Sequence, residues 1–214
     1  MTQEEYKARF TEDDAPGWEA IDAALEKLYG AQEPQHFAPI ISSRIGGEDP
    51  LDGISIYENN TQEPHFHFVS YGMSFLYYDD EYTEEEYSGW GFEFTYRMKK
   101  QGDNNIYWVQ NLMQNLARYV NESKRYFDPY HFIPANGPIR LDYDTDITAL
   151  AFAPDPQLGT IDTPHGKVQF LQMVGLTSAE YEYLKPLNNV DAVAALLKNM
   201  QRDNPLLITD LDRR

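Results

Sequence analysis

The stretch WGFEFTYRM, residues 90–98, alternates without a break. Trp90, Phe92, Phe94, Tyr96 and Met98 occupy one set of positions, and Gly91, Glu93, Thr95 and Arg97 the other. Successive side chains of a strand point to opposite faces of a sheet, so a period of two predicts a strand with one aromatic face. Such a strand needs neighbours to cover that face. The chain offers HFAPIIS (36–42), ISIYEN (54–59), FHFVSYG (66–72), DITALAFAP (146–154), KVQFLQMVGL (167–176) and LLITD (206–210) as further strands.

Helical spacing runs between them. Trp18, Ile21, Leu25 and Leu28 recur at steps of three and four, with Asp13 or Asp14 to cap, Pro16 in the first turn and Gly30 to end the helix. Over 106–122, Val109, Leu112, Met113, Leu116, Ala117 and Val120 form a stripe opposite Gln110, Asn111, Gln114, Arg118 and Asn121. Asp103 to Asn105 are the expected caps there. Thr177 and Glu180 match a capping box opening a helix that Pro186 ends, and a last helix spans Val190 to Met200. Residues 46–53 and 155–166 read as loops, and 1–13 as a polar lead-in. Strands and helices are intermixed, without repeats or a flexible linker. The expected fold is α+β, a mixed and largely antiparallel sheet packed with helices, in a single domain over 14–214. The 214 residues suffice for a sizeable core.

The charge restricts the partners. Seventeen bases against 35 acids give −18, a field that repels phosphate backbones and attracts a basic protein. Between Ile45 and Tyr96 there are twelve acids and no Lys or Arg. Six of the acids lie in DDEYTEEEY: Asp79, Asp80, Glu81, Glu84, Glu85 and Glu86. This segment reads either as a solvated, mobile hairpin tip or as a dock for a basic partner. The absence of cysteine removes disulfides, Cys-based zinc sites and thiol chemistry. No apolar run approaches the ~20 residues that cross a bilayer, and MTQEEYKARF lacks the apolar core of a secretory signal. A cytoplasmic protein that binds neither membrane nor nucleic acid is expected.

Catalytic patterns are sparse. His65 and His67 lie two apart in a predicted strand and so share a face. They supply two imidazoles for a metal-dependent hydrolase, but a zinc site needs at least a third protein ligand. His36, His131, His165 and the acids are not at a diagnostic spacing from them. The other reading makes both structural, as hydrogen-bonding residues of the strand. Ser70-Tyr-Gly-Met-Ser74 lacks the glycines of a nucleophile elbow, and there is no phosphate-binding glycine loop. No constellation of catalytic roles assembles, so no enzyme and no cofactor is expected. The aromatic residues Tyr119, Tyr126, Phe127, Tyr130 and Phe132 read as core and its rim, or alternatively as the lining of a groove.

Seven phrases in order resemble the suppressor-of-fused domain: APGWEAIDAALEKLYG, GGEDPLDGISIY, HFHFVSYGMSFLY, GWGFEFTYRMK, LMQNLARYV, DPQLGTIDTPHGKVQFLQMVGLT and PLLITDLDR. They cover the chain from about Ala15 to its end. The resemblance implies an α+β fold that binds proteins without catalysis. Animal members restrain transcription factors, gripping an extended peptide between this lobe and a second, C-terminal one. The chain is similar to shorter bacterial members without that lobe, which act as immunity proteins against toxins. Tyr119 matches a tyrosine of the animal partner groove, and His131 falls where those relatives have an aspartate. The family's His-aromatic-His-aromatic phrase has no metal role, which implies structural roles for His65 and His67. The expected function is occlusion of a protein partner, a basic toxin foremost. The alternatives are restraint of an endogenous regulatory protein and the hydrolase built on His65 and His67.

Overall fold

The structure is a computed structural model and describes residues 1–102 and 105–214. Its centre is an eight-stranded sheet. The strands are β1 (Gln35–Phe37), β2 (Gly53–Asn59), β3 (His65–Tyr71), β4 (Tyr87–Lys99), β5 (Phe132–Pro134), β6 (Ile147–Pro154), β7 (Thr160–Thr163) and β8 (Gly166–Thr177). The sheet order is β1-β2-β3-β4-β8-β6-β5, and β7 pairs with β8. All pairs are antiparallel except β4 with β8. The mixed, largely antiparallel α+β fold expected from the sequence is the one observed.

Side-chain parity assigns the two faces. Phe92, Phe94, Tyr96 and Met98 of β4 join Phe66 and Phe68 of β3 and Leu171 and Met173 of β8 in one apolar cluster. Helix α3 (Tyr107–Ser123) covers it with Val109, Met113, Leu116, Ala117 and Val120, the stripe read from the sequence. On the other face lie two smaller clusters. One joins Ile21 and Leu25 of α2 (Pro16–Tyr29) to Tyr57, Val69, Tyr71 and Phe170. The other joins Leu184 of α4 (Ser178–Leu187) and Val193 and Leu197 of α5 (Val190–Met200) to Ala149, Ala151, Val174 and Leu176. Along β8, Phe170 belongs to the first of these clusters and Val174 to the second. Gln172, on the same face by period two, sits between them.

Several boundaries differ from the sequence reading. HFAPIIS is a strand only through Phe37: the pairing with β2 stops there, two residues before Pro39, and Ile40 and Ile41 are exposed. Thr160–Thr163, taken as loop, forms β7 by folding back on β8 through a two-residue turn. LLITD makes one isolated bridge, Met98 with Thr209, instead of a strand. Helix α2 starts from Ala15, without a side-chain cap from Asp13 or Asp14. Pro186 lies inside α4, in its last turn, because helix α4 runs one residue beyond it to the Asn188 cap. Of the caps expected for α3, Asp103 and Asn104 lie outside the described residues, while the Asn105 side chain accepts the Tyr107 N–H at 3.3 Å. The polar lead-in carries a helix, α1 (Gln3–Arg9), opened by a Thr2–Glu5 capping box and seated by one buried side chain, Tyr6.

Gly72 closes β3 at φ 137°, and a Cβ there would stand 2.7 Å from the Pro50 carbonyl oxygen and 2.9 Å from Leu51 Cα. Neither backbone atom is free to yield. Gly72→Ala is therefore expected to cost about 2 kcal/mol or more of stability, read as a fall in the urea midpoint at unchanged slope.

Candidate functional site

The polar face of β3 and β4 is as buried as the aromatic one. His65, His67, Glu93, Thr95 and Arg97 are all fully buried. Asp155, just past the end of β6, gathers three of them, His67, Thr95 and Arg97. Its Oδ2 accepts from Arg97 Nη1 at 2.5 Å and Thr95 Oγ1 at 2.8 Å, and meets His67 Nε2 at 3.2 Å. Its Oδ1 accepts from Arg97 Nη2 at 3.1 Å and from the N–H groups of Gln157 and Leu158. Burial alone would raise the Asp155 carboxyl; the hydrogen bond to His67 and the bonds and charge of Arg97 outweigh it and hold the carboxyl well below the usual range. Arg97 also donates to Gln172 Oε1, whose amide donates to the carbonyls of Leu206 and Leu207. The chain's C-terminal segment is thus tied to the centre of the sheet.

His67 Nδ1 lies 2.7 Å from the Tyr29 hydroxyl. A neutral ring satisfies both contacts if Nε2–H donates to Asp155 and Nδ1 accepts from Tyr29. Burial and the Arg97 charge push the His67 pKa down to about 4, which favours this neutral form. His65 Nδ1 is 2.7 Å from the Glu63 carbonyl. His67 has no nitrogen left for a metal, and among the described residues no group of three or more His, Asp or Glu is arranged to hold one. The two histidines act as hydrogen-bonding residues of the sheet.

Glu93 is a second buried polar centre. It accepts from Ser70 Oγ at 2.5 Å, Ser74 Oγ at 2.7 Å and the N–H groups of Gly72 and Ser74. Burial still pushes its carboxyl up. Both centres knit strands together, and the Glu93 donors Gly72 and Ser74 also line a small surface hollow of about 240 Å³.

The surface has a cleft at the β5 edge of the sheet. Tyr119, near the end of α3, stands 42% exposed, and His131 forms part of the same lining. The cleft has a volume of about 390 Å³. Arg125, Tyr126, Tyr130, Phe132 and the α4–α5 junction at Asn188–Val190 also line it. Its floor is a ring stack: Tyr119 on Phe127 at 5.8 Å and Phe127 on Phe152 at 4.2 Å. Lys124, in the left-handed conformation, ends α3 and turns the chain beneath it. His131 Nδ1 accepts the Asp128 N–H at 3.2 Å, which fixes its ring. The aromatic cluster expected to be core is mainly cleft: Phe127 alone is buried, Tyr119 and Tyr126 are exposed, and Tyr130 and Phe132 are half-buried. The short β5, missed in the sequence, holds Phe132 in the wall.

The acidic segment lies elsewhere; none of its six acids lines this cleft. It is tied down rather than free. Asp80 pairs with Lys7 at 2.5 Å, and its carbonyl accepts from Gln3. The Asp79 N–H donates to the Tyr6 hydroxyl, which also meets His165 Nε2 at 2.7 Å. Tyr82 stacks on Phe75 at 4.5 Å, and Thr83 is buried. Glu81, Glu84, Glu85 and Glu86 remain exposed, while Asp79 and Asp80 are half-buried.

Comparison with known proteins places this architecture. Residues 47–214 match the family described as "Suppressor of fused protein (SUFU)". The chain is 34% identical over 210 residues to the suppressor of fused homologues of Homo sapiens and Mus musculus, covering 92% of itself and 43% of their length. It therefore spans less than half of these curated relatives. Among solved structures it matches a chain of the Sufu–Fu complex with TM-score 0.83 and 31% identity, over 94% of this chain and 92% of that one. Drosophila Suppressor of Fused matches with TM-score 0.82 and 31% identity, over 95% of this chain and 52% of that one. A suppressor-of-fused homologue from Neisseria gonorrhoeae shares the fold at TM-score 0.61 and 12% identity, over 92% of this chain and 95% of that one.

Proposed function

The chain belongs to the suppressor-of-fused family, and from that premise we propose that it is a cytoplasmic protein-binding domain that works by occlusion, without catalysis. The observation that carries this reading is the match, nearly end to end, with a chain solved in the Sufu–Fu complex. A fold this similar serves there within an assembly of proteins. The cleft at Tyr119 and His131 supports the reading independently, since half-exposed aromatics on a rigid floor are what anchor interfaces.

The partner we favour is a basic toxin, which the protein would neutralise as an immunity protein. Net charge −18 and the exposed acids Glu81, Glu84, Glu85 and Glu86 suit a cationic surface and compete with nucleic acid for it. The alternative partner is an endogenous regulatory protein, which the family's animal members favour. Affinity capture of the tagged protein from its native lysate, at low and then moderate salt, separates the two. A single basic protein released by salt is expected, its on-rate falling as salt rises and falling again with Glu81, Glu84, Glu85 and Glu86 changed to Gln. A complex insensitive to salt and to those changes refutes the acidic-face reading. A neutral housekeeping partner favours the regulator instead.

A further inference from the structure

A second concavity lies across the Tyr126–Phe127 ridge from the first. It exists because β4 bows away from β8: Tyr87 pairs with Lys167 and Phe92 with Gln169, so four residues of β4 span one of β8. Gly89 and Gly91, at φ 57° and 82°, make the bow. The space enclosed is about 720 Å³, within the ~300–1,000 Å³ typical of ligand sites. Tyr87 and Tyr126, 53% and 56% exposed, stand on its walls with Trp90. The Trp90 ring is fixed by its Nε1–H, which donates to Asn121 Oδ1 at 2.7 Å.

The cations at this groove differ from most others in the molecule. Lys7, Arg97, Lys99, Lys100, Arg118, Arg140, Lys185, Arg213 and Arg214 each pair with a carboxylate. Lys167, on the groove wall, and Lys124, whose Nζ lies 5.7 Å from the Trp90 ring centroid, do not, among the described residues. Arg125, on the wall of the neighbouring cleft, is likewise without an ion pair. The groove wall contains one acid, Asp128. In a chain with twice as many acids as bases, Lys167 on the wall and Lys124 over the Trp90 ring thus stand beside exposed aromatics without carboxylate partners.

We propose that this groove binds an acidic, aromatic-bearing extended segment of a protein partner, with Tyr87, Trp90 and Tyr126 packing its apolar side chains and Lys124 and Lys167 pairing its carboxylates. The site shares the Tyr126–Phe127 ridge with the Tyr119 cleft, and Tyr87 on its wall ends the acidic segment, but none of the six acids of that segment lines it. A protein segment fits better than nucleic acid because a few carboxylates meet two lysines without setting a continuous run of phosphates against the overall field.

The test is fluorescence anisotropy of the intact protein with three short labelled peptides, alternating tyrosine with glutamate, glutamine or lysine, and with a thymidine oligonucleotide. Saturable binding is expected for the glutamate peptide, with the other probes at least tenfold weaker. Lys124→Glu with Lys167→Glu should weaken it about tenfold or more, and Tyr126→Ala several-fold. Lys198→Glu with Arg202→Glu, the same charge change at exposed positions outside the groove, should leave it within twofold. Equal binding of the glutamine peptide, tighter binding of the oligonucleotide, no saturable binding of the glutamate peptide, or equal weakening by the control pair would each overturn the proposal.

Discussion

Arg97→Met should lower the unfolding free energy by about 3–5 kcal/mol, the largest loss expected of any single substitution here. The reason lies in what remains behind. Asp155 keeps its place among Thr95, His67 and two backbone N–H groups, but loses the guanidinium that bonds both its oxygens. A buried carboxylate left with neutral donors costs several kcal/mol, or takes up a proton and loses its bonding to them. The damage extends outward, because Gln172 Oε1 and Gln157 Oε1 lose a donor as well. Urea denaturation of Arg97→Met, Asp155→Asn and the double variant forms the check. Strong coupling is expected: the double variant loses clearly less than the two singles together, since neither charge is then stranded. A loss under 1 kcal/mol for Arg97→Met would show that the network contributes little.

The aromatic half of this arrangement was readable in the sequence, and the polar half only partly so. Period two put Phe92, Phe94, Tyr96 and Met98 on one face, and α3 covers that face with the stripe its own spacing announced. The same period set Glu93, Thr95 and Arg97 opposite, where amphipathic logic would leave them in water. They are buried because α2, α4 and α5 cover the second face as well. Their partners come from far along the chain: Asp155 is 58 residues from Arg97 and 88 from His67. No local pattern encodes such pairings, since the sheet order that creates them is itself long-range. The cleft is similar. Tyr119 and His131 reached it through family resemblance, while the β5 strand and the Asn188–Val190 wall lacked any signal of their own. A three-residue strand has too few positions to show a period. Helix α1 was obscured for the opposite reason: one tyrosine seats it, and one apolar residue makes no stripe.

His67 makes stability depend on pH in a window set by its own titration. In the unfolded chain an imidazole takes up its proton near 6.5; in the fold, burial first and the Arg97 charge next delay this until about 4. The folded state therefore binds fewer protons throughout that interval. Stability from this group is complete above 6.5, falls as the pH drops from 6.5 towards 4, and falls no further below that. At 1.36 kcal/mol per pH unit the whole loss is about 3 kcal/mol. His65, His36 and His165 are also pushed down by burial and add to the slope with the same sign. Glu93, pushed up by burial, opposes them above 4.5, because there the fold retains a proton the unfolded chain has released. Asp155 contributes only at still lower pH, as its carboxyl stays ionised in the fold after the unfolded one is protonated. His67→Gln isolates the largest share. A glutamine amide can donate to Asp155 while its carbonyl accepts from Tyr29, and it does not titrate. The midpoint of urea unfolding measured from pH 7.5 to 4.5 should fall steeply for the parent and markedly less for His67→Gln. Parallel curves would mean that His67 becomes charged within the fold, and the neutral hydrogen-bond bridge from Tyr29 to Asp155 would have to be abandoned.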